Sequence, residues 1–211
     1  MTKNFFLTLS VTISGFMSAQ TVDSGSDSQF KFGVKAGYNL STMKFFDDKL
    51  DSKSYFYVGL VGEQPVSSKV GIQAEVLYTQ LGGKQDFPLM QINNSDVQIS
   101  SIQFDYQLTQ IQIPVSVKYY FIPDLSASVG MNAAFNVSEK VKTQMEVNGE
   151  TSRNYEGIKS LNLFPFLGAQ YQISNRFFVD AKYNFNFIEI QKGGLPTKVG
   201  FLQAGVGYRF N

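Results

Sequence analysis

The chain alternates between apolar and polar residues with a period of two, most clearly between Leu125 and Val137. Every second residue of that segment is apolar, and Ser, Gly, Asn and Ala fill the positions between. A helix would distribute the apolar side chains around its circumference, whereas a strand places them all on one face. The segment is therefore predicted to be a β-strand with one apolar and one polar face.

The same alternation recurs between Phe30 and Phe210 and predicts eight strands. Most of them run for about 10 to 13 residues, longer than the roughly five or six of a globular strand and close to the roughly 9 to 11 of a tilted membrane-crossing strand. Three links are short, at residues 67–69, 122–124 and 174–176, and four are longer, at residues 41–54, 82–108, 138–160 and 189–198. This asymmetry is typical of outer-membrane barrels.

The fold class predicted from these observations is all-β, an eight-stranded antiparallel up-and-down transmembrane β-barrel with short periplasmic turns and longer extracellular loops. An even number of strands places both ends of the mature chain in the periplasm. Alternation alone does not show which face is inside, so a soluble lipocalin-like barrel with an apolar lumen is an alternative. The nearly uncharged apolar face and the aromatic residues near strand ends favour lipid outside.

With lipid outside, Val115 and Val129 face the membrane and should tolerate Leu or Ile but not Arg, and Gly130→Ser, on the opposite face, is expected to matter less. The same parity sends charged side chains into the lumen, where isolated charges would be costly and an ion-paired network is expected. Lys35, Glu75 and Lys182 are expected near mid-height and the others closer to the periplasm, with Phe164 and Phe166 filling the outer half. The network is Lys31, Lys35, Glu63, Glu75, Lys118, Asp180, Lys182 and Arg209.

The N-terminal segment has the features of a secretory signal peptide. Lys3 precedes an apolar stretch too short to cross a bilayer as a helix, which takes about 20 residues. Ser18 and Ala19 then form a small-residue cleavage site. We expect residues 1–19 to be a signal peptide cleaved between Ala19 and Gln20, residues 20–29 a flexible periplasmic lead-in, and residues 30–211 the barrel domain.

Composition excludes several function classes. Lys3 is the one charged residue of the signal segment, so 17 basic residues balance 17 acidic ones in the mature chain, and no basic bias indicates nucleic acid. The chain has no Cys and no His, which excludes disulfides, thiolate chemistry and a His general base. We therefore expect no enzyme activity, no metal and no cofactor.

Three segments resemble strands of the PorT-like outer-membrane β-barrel family. Residues 32–41 are similar to its opening strand, residues 71–80 to its third, and residues 113–115 with 118–121 to its fourth. The resemblance covers residues 30–211 and implies an outer-membrane barrel, in a family whose members range from orphan barrels to accessory proteins of secretion systems.

The leading functional hypothesis is a non-enzymatic barrel of a Gram-negative outer membrane, in contact with lipid. Its external loops would bind a partner, or the barrel would be an accessory subunit of an envelope complex. The first alternative is a small pore for ions or small solutes. The second is a soluble periplasmic carrier of an apolar ligand.

Overall fold

The computed structural model describes residues 29–45, 48–93, 96–147, 150–154, 157–192 and 196–210, which form an all-β fold. The predicted signal peptide and its Ala19–Gln20 cleavage site lie outside the described residues. Within them there is no helix long and apolar enough to cross a membrane. The strands are β1 (Lys31–Phe45), β2 (Asp48–Lys49), β3 (Asp51–Pro65), β4 (Val70–Asn93), β5 (Asp96–Ile122), β6 (Leu125–Val147), β7 (Glu150–Asn154), β8 (Leu161–Gln172), β9 (Phe177–Asn184) and β10 (Thr197–Arg209).

Eight of these strands form a closed antiparallel ring, in the order β1, β3, β4, β5, β6, β8, β9 and β10. The first and last strands close it, with a continuous register from Gly33 opposite Arg209 to Phe45 opposite Thr197. The short β2 and β7 pair at its edge with β1 and β6. The predicted eight-stranded barrel is confirmed.

The two ends of the barrel differ. The turn end carries the short connections at residues 66–69, 123–124 and 173–176, together with Phe30 and Phe210 at the two ends of the barrel sequence. The opposite end, called the hairpin end below, carries the longer connections. Because β1 and β10 are neighbours, the backbone N–H of Phe210 donates to the carbonyl of Phe32 at 2.8 Å.

The hairpin end contains more strand than the sequence predicts. Residues 82–108, expected to be a loop, continue β4 to Asn93 and begin β5 at Asp96. Beyond the pair Lys84–Asp105 the two strands form a ribbon that projects about 30 Å, at roughly 3.4 Å per residue. Residues 41–54 and 138–147 are also largely strand. The alternation fades there because neither face of a ribbon outside the membrane must be apolar, although its backbone ladder still forms.

An apolar belt covers the outside of the ring. The predicted outward residues are exposed along every strand, among them Val129 (59%), Val206 (58%) and Leu167 (54%). The alternate residues, such as Gln112 and Asn132, are buried in the lumen. The predicted inside–outside parity is therefore confirmed, and the apolar lumen of a soluble carrier is not what this barrel contains.

The lumen face is more crowded at Gly130 than its sequence parity indicates. A Cβ at Gly130 would stand 2.7 Å from Cβ of Ser116 and 2.8 Å from Cζ of Phe166. Such distances require a neighbouring strand to move, so a serine is not accepted freely at this position. Sequence parity shows that Gly130 faces inward but not that Phe166 occupies the space beside it.

Replacing Val129 with Arg should destabilise the membrane-inserted barrel by about 2–4 kcal/mol, the cost of a basic residue near the bilayer midplane. Val129→Leu should leave stability unchanged. The control for depth is Ser54→Arg, an exposed site opposite Leu40 at the hairpin end, where the cost falls to about 0–1 kcal/mol. Urea titrations of folding in lipid vesicles measure all three. Equal stability of the two Arg variants would contradict a lipid-facing Val129.

Candidate functional site

The middle of the lumen holds two lysines and two carboxylates, which we call the mid-barrel cluster: Lys35, Glu75, Asp180 and Lys182. Lys35 Nζ lies 3.3 Å from Glu75 Oε2 and also donates to Asp180. Lys182 donates to Glu75 and lies 3.8 Å from Asp180 Oδ2. All four side chains are at most 4% exposed, and their formal charges cancel.

A second group, the turn-end cluster, consists of Glu63, Lys118 and Arg209. One carboxylate oxygen of Glu63 accepts from Lys118 Nζ and from Arg209 Nη2, each at 2.6 Å. Its other oxygen accepts from the hydroxyl of Tyr120 at 2.5 Å. The excess positive charge is met by amide oxygens, because Lys118 also donates to Gln170 at 3.0 Å and Arg209 donates to Gln172.

Seven of the eight charged residues proposed for the lumen therefore lie in these two clusters. Lys31 does not join them: it is half-buried at the turn end and makes no ion pair with any described residue. The expected depth of Asp180 also needs correction, since it bonds to Lys35 at mid-height and does not lie near the turn end. The tilt of the strands brings it level with Lys35.

Aromatic rings flank the buried cations. Each ring supplies its negatively polarised face to a cation that is out of contact with water. Gly205 and Gly207 on β10 leave space for two of these rings, because a Cβ at either position would overlap Tyr57 or Phe178. The contacts are Lys35 over Tyr57 at 5.4 Å, Lys182 over Phe166 at 5.5 Å and Arg209 over Phe178 at 5.0 Å.

Above the mid-barrel cluster, carboxamide side chains cross the lumen as a hydrogen-bonded layer. Gln112 Oε1 accepts from Asn132 Nδ2 at 3.2 Å and from Gln203 Nε2 at 3.1 Å. Asn132 also donates to Asn184 Oδ1 at 3.1 Å, and Gln112 donates to Gln110 at 2.9 Å. In the sequence these residues are recognisable only as members of a polar face. Their inward parity was the available indication that they meet across the barrel.

An apolar plug closes the hairpin end of the lumen. Phe164 and Phe201 meet edge to face with ring centroids 5.2 Å apart. Phe164 fills the outer half as expected, but Phe166 lies deeper, beside Lys182. The plug consists of Met43, Leu50, Leu81, Leu108, Ala134, Ile158, Phe164, Ile190, Val199 and Phe201.

Together these layers leave little free volume. Between the two charged clusters, a cavity lined by Gln73, Lys118 and Lys182, among others, measures about 10 Å³. That is about the minimum for one water molecule. No group of three or more Asp and Glu residues suited to a metal ion occurs in the part of the chain that the structure describes. The carboxylates of the lumen serve as partners for cations of the chain itself.

Comparisons with known proteins agree with this architecture. A family model described as "Outer membrane protein beta-barrel domain" matches residues 18–192. No curated protein sequence matches the chain. Among solved structures, Ail of Yersinia pestis, determined in complex with the heparin analogue sucrose octasulfate, is 19% identical with a TM-score of 0.51, covering 86% of this chain and 99% of Ail. Neisserial surface protein A is 16% identical with a TM-score of 0.55, covering 89% of this chain and 100% of its own.

Replacing Glu75 with Gln should destabilise the barrel by about 3–5 kcal/mol, because two buried lysines would then share Asp180 alone. The double variant Glu75→Gln/Lys182→Gln restores neutrality and should recover part of the loss. Asp124→Asn, in an exposed turn, is the control and should leave stability unchanged. Urea midpoints in vesicles measure the series. A Glu75→Gln midpoint equal to that of Asp124→Asn would show that the charges do not depend on one another.

Proposed function

Since the chain belongs to the outer membrane protein β-barrel domain family, we propose that it is a non-conducting, non-enzymatic barrel that acts by binding at its hairpin end. It would be a binding protein in its own right or an accessory subunit of an envelope complex. The filled lumen carries this proposal. Ion-paired charges, an amide layer and an apolar plug follow one another along the barrel axis.

The proposed orientation places the hairpin end outside the cell and both ends of the mature chain in the periplasm. Outer-membrane barrels have short periplasmic turns and longer external connections. The turn end has both the short turns and the two ends of the barrel sequence. The resemblance of three strand segments to PorT-like barrels belongs to the same proposal and would favour the accessory role.

The side-chain chemistry supports a role without catalysis. The chain has no His and no Cys to act as a base or nucleophile. Glu63, Glu75 and Asp180 are at most 7% exposed and bonded to cations of the chain, so a substrate has no access to them.

The projecting β4–β5 ribbon supports binding of a protein. The pairing of β4 with its neighbour β3 ends at Lys84, opposite Asp51, and the pairing of β5 with its neighbour β6 ends at Phe104, opposite Thr143. Further out, β4 and β5 pair only with each other among the described residues. Their outer edges present backbone groups that a partner strand would match. A polyanion such as the ligand of Ail is less well supported, because lysines and acids alternate at this end, as at Asp48, Lys49 and Asp51.

In planar bilayers the wild-type protein should show no steady conductance. Phe164→Ala/Phe201→Ala removes the central ring pair of the plug and should raise ion leakage. Glu75→Gln should also raise leakage, because it disrupts the ion pairs of the mid-barrel cluster. Leu167→Ala, on the outward face of β8, is the control and should leave the leakage of ions unchanged. A wild-type barrel that conducts steadily, with Glu75→Gln unchanged, would favour the small pore.

The binding function is tested by shortening the ribbon. Residues 85–104 are replaced by a two-residue Asn-Gly turn, so that the hairpin closes just beyond the pair Lys84–Asp105. We expect the shortened barrel to fold and to lose stoichiometric partners that copurify with the wild type from outer membranes. Heat-modifiable gel mobility checks folding. Retention of the same partners by the shortened barrel would contradict binding through the ribbon.

A further inference from the structure

One bulge reverses the direction of the side chains on β6 at the hairpin end. Thr109 of β5 pairs with Ser138, but the next residue, Gln110, pairs with Asn136, so Val137 is an extra residue. Before the bulge the even-numbered residues of β6 face the lumen, and Asn132 is fully buried there. After it, the odd-numbered Glu139 pairs with the fully buried Leu108.

The bulge therefore turns the following even-numbered residues outward, among them Lys140 and Lys142. Without it, continued alternation would direct both lysines toward the apolar plug. Bulges often re-aim side chains at functional positions. Burial raises the pKa of the Glu139 carboxyl, and the positive charge of Lys192 offsets only part of that rise. The raised pKa agrees with a Glu139 side chain on the inward face of β6.

The two lysines line a cavity of about 170 Å³ on the outer surface, together with Gln80, Gln107, Thr109 and Ser138. All six side chains carry hydrogen-bond donors, and no carboxylate is among them. Neither lysine forms an ion pair with any residue the structure describes. The cross-strand neighbour of Lys142, Asp105, is instead held by Lys53 Nζ at 2.5 and 2.6 Å.

The cavity lies directly beyond the apolar belt. On these strands the belt ends with the paired row of Tyr78 and Ile111, followed on β6 by the exposed bulge residue Val137, while the exposed Phe87 lies further out on the ribbon. The next row outward, two residues along each strand, contains Gln80, Thr109 and Ser138. Each such step is about 7 Å along the strand, or roughly 5 Å in height at a strand tilt of about 45°, so the backbones of Lys140 and Lys142 stand roughly 10 and 15 Å beyond the last apolar row. Their long, flexible stems can reach back from there toward the lipid headgroups.

We propose that this cavity binds the phosphate group of an anionic lipid in the membrane leaflet at the hairpin end. Two ammonium groups supply the charge, and the amide and hydroxyl donors orient the phosphate oxygens. The acyl chains of the same lipid would lie against the apolar belt below. The inference depends on the membrane placement of the barrel and not on its binding a protein through the ribbon, so either can fail alone.

The test measures binding of diphosphorylated lipid A to the full mature chain, folded in zwitterionic detergent micelles, by native mass spectrometry. Lys140→Gln/Lys142→Gln should weaken lipid A binding about 30-fold, because it removes the attraction that two lysines at a membrane surface provide. Lys140→Arg/Lys142→Arg keeps the charge and should keep most of the affinity. The matched control is Lys44→Gln/Lys49→Gln, which removes a cross-strand lysine pair at the same end but outside the cavity, and it should leave binding unchanged.

Three results would overturn the proposal. The first is an equal loss of affinity in the two Gln pairs, which would indicate general surface charge. The second is undiminished binding of dephosphorylated lipid A. The third is displacement by inorganic phosphate at concentrations similar to those of the lipid, which would make this a site for a free anion. Heat-modifiable gel mobility verifies that each variant is folded.

Discussion

Closure of the sheet between β1 and β10 is the constraint on which the rest of the molecule depends. Closing eight strands leaves an interior just wide enough for side chains. Each inward residue must therefore find its partner among the inward residues of other strands. The ion-paired clusters, the amide layer and the apolar plug are three solutions to this one requirement at successive depths.

The charged layers show how costly this requirement is. Bringing lysines and carboxylates out of water is offset only by good geometry and additional hydrogen bonds. The mid-barrel cluster meets that condition with equal numbers of cations and anions. The turn-end cluster, with one carboxylate for two cations, relies on the amides of Gln170 and Gln172 and on the ring of Phe178. Stability of the barrel and closure of its lumen thus come from the same side chains.

Much of this architecture could be predicted from the sequence because lipid and lumen impose opposite demands on alternate residues of every spanning strand. That contrast was sufficient to place Lys35, Glu75 and Lys182 inside. It could not pair Lys35 with Asp180, 145 residues away, because their meeting depends on the tilt and stagger of the strands. Beyond the membrane the contrast disappears, and for that reason the alternation predicts neither the ribbon nor the bulge at Val137.

The pairing of the first strand with the last also determines when the interior can be completed. Lys35 bonds to Asp180 across 145 residues of chain and Glu63 to Arg209 across 146, so both bonds join strands from opposite ends of the sequence. Contacts at such separation form late, after the entropy of closing a long loop has been lost. An open sheet in the bilayer would leave these charges facing hydrocarbon. A barrel whose first and last strands have not yet paired is therefore less stable in the membrane than the closed one, because its lumen charges lack their partners.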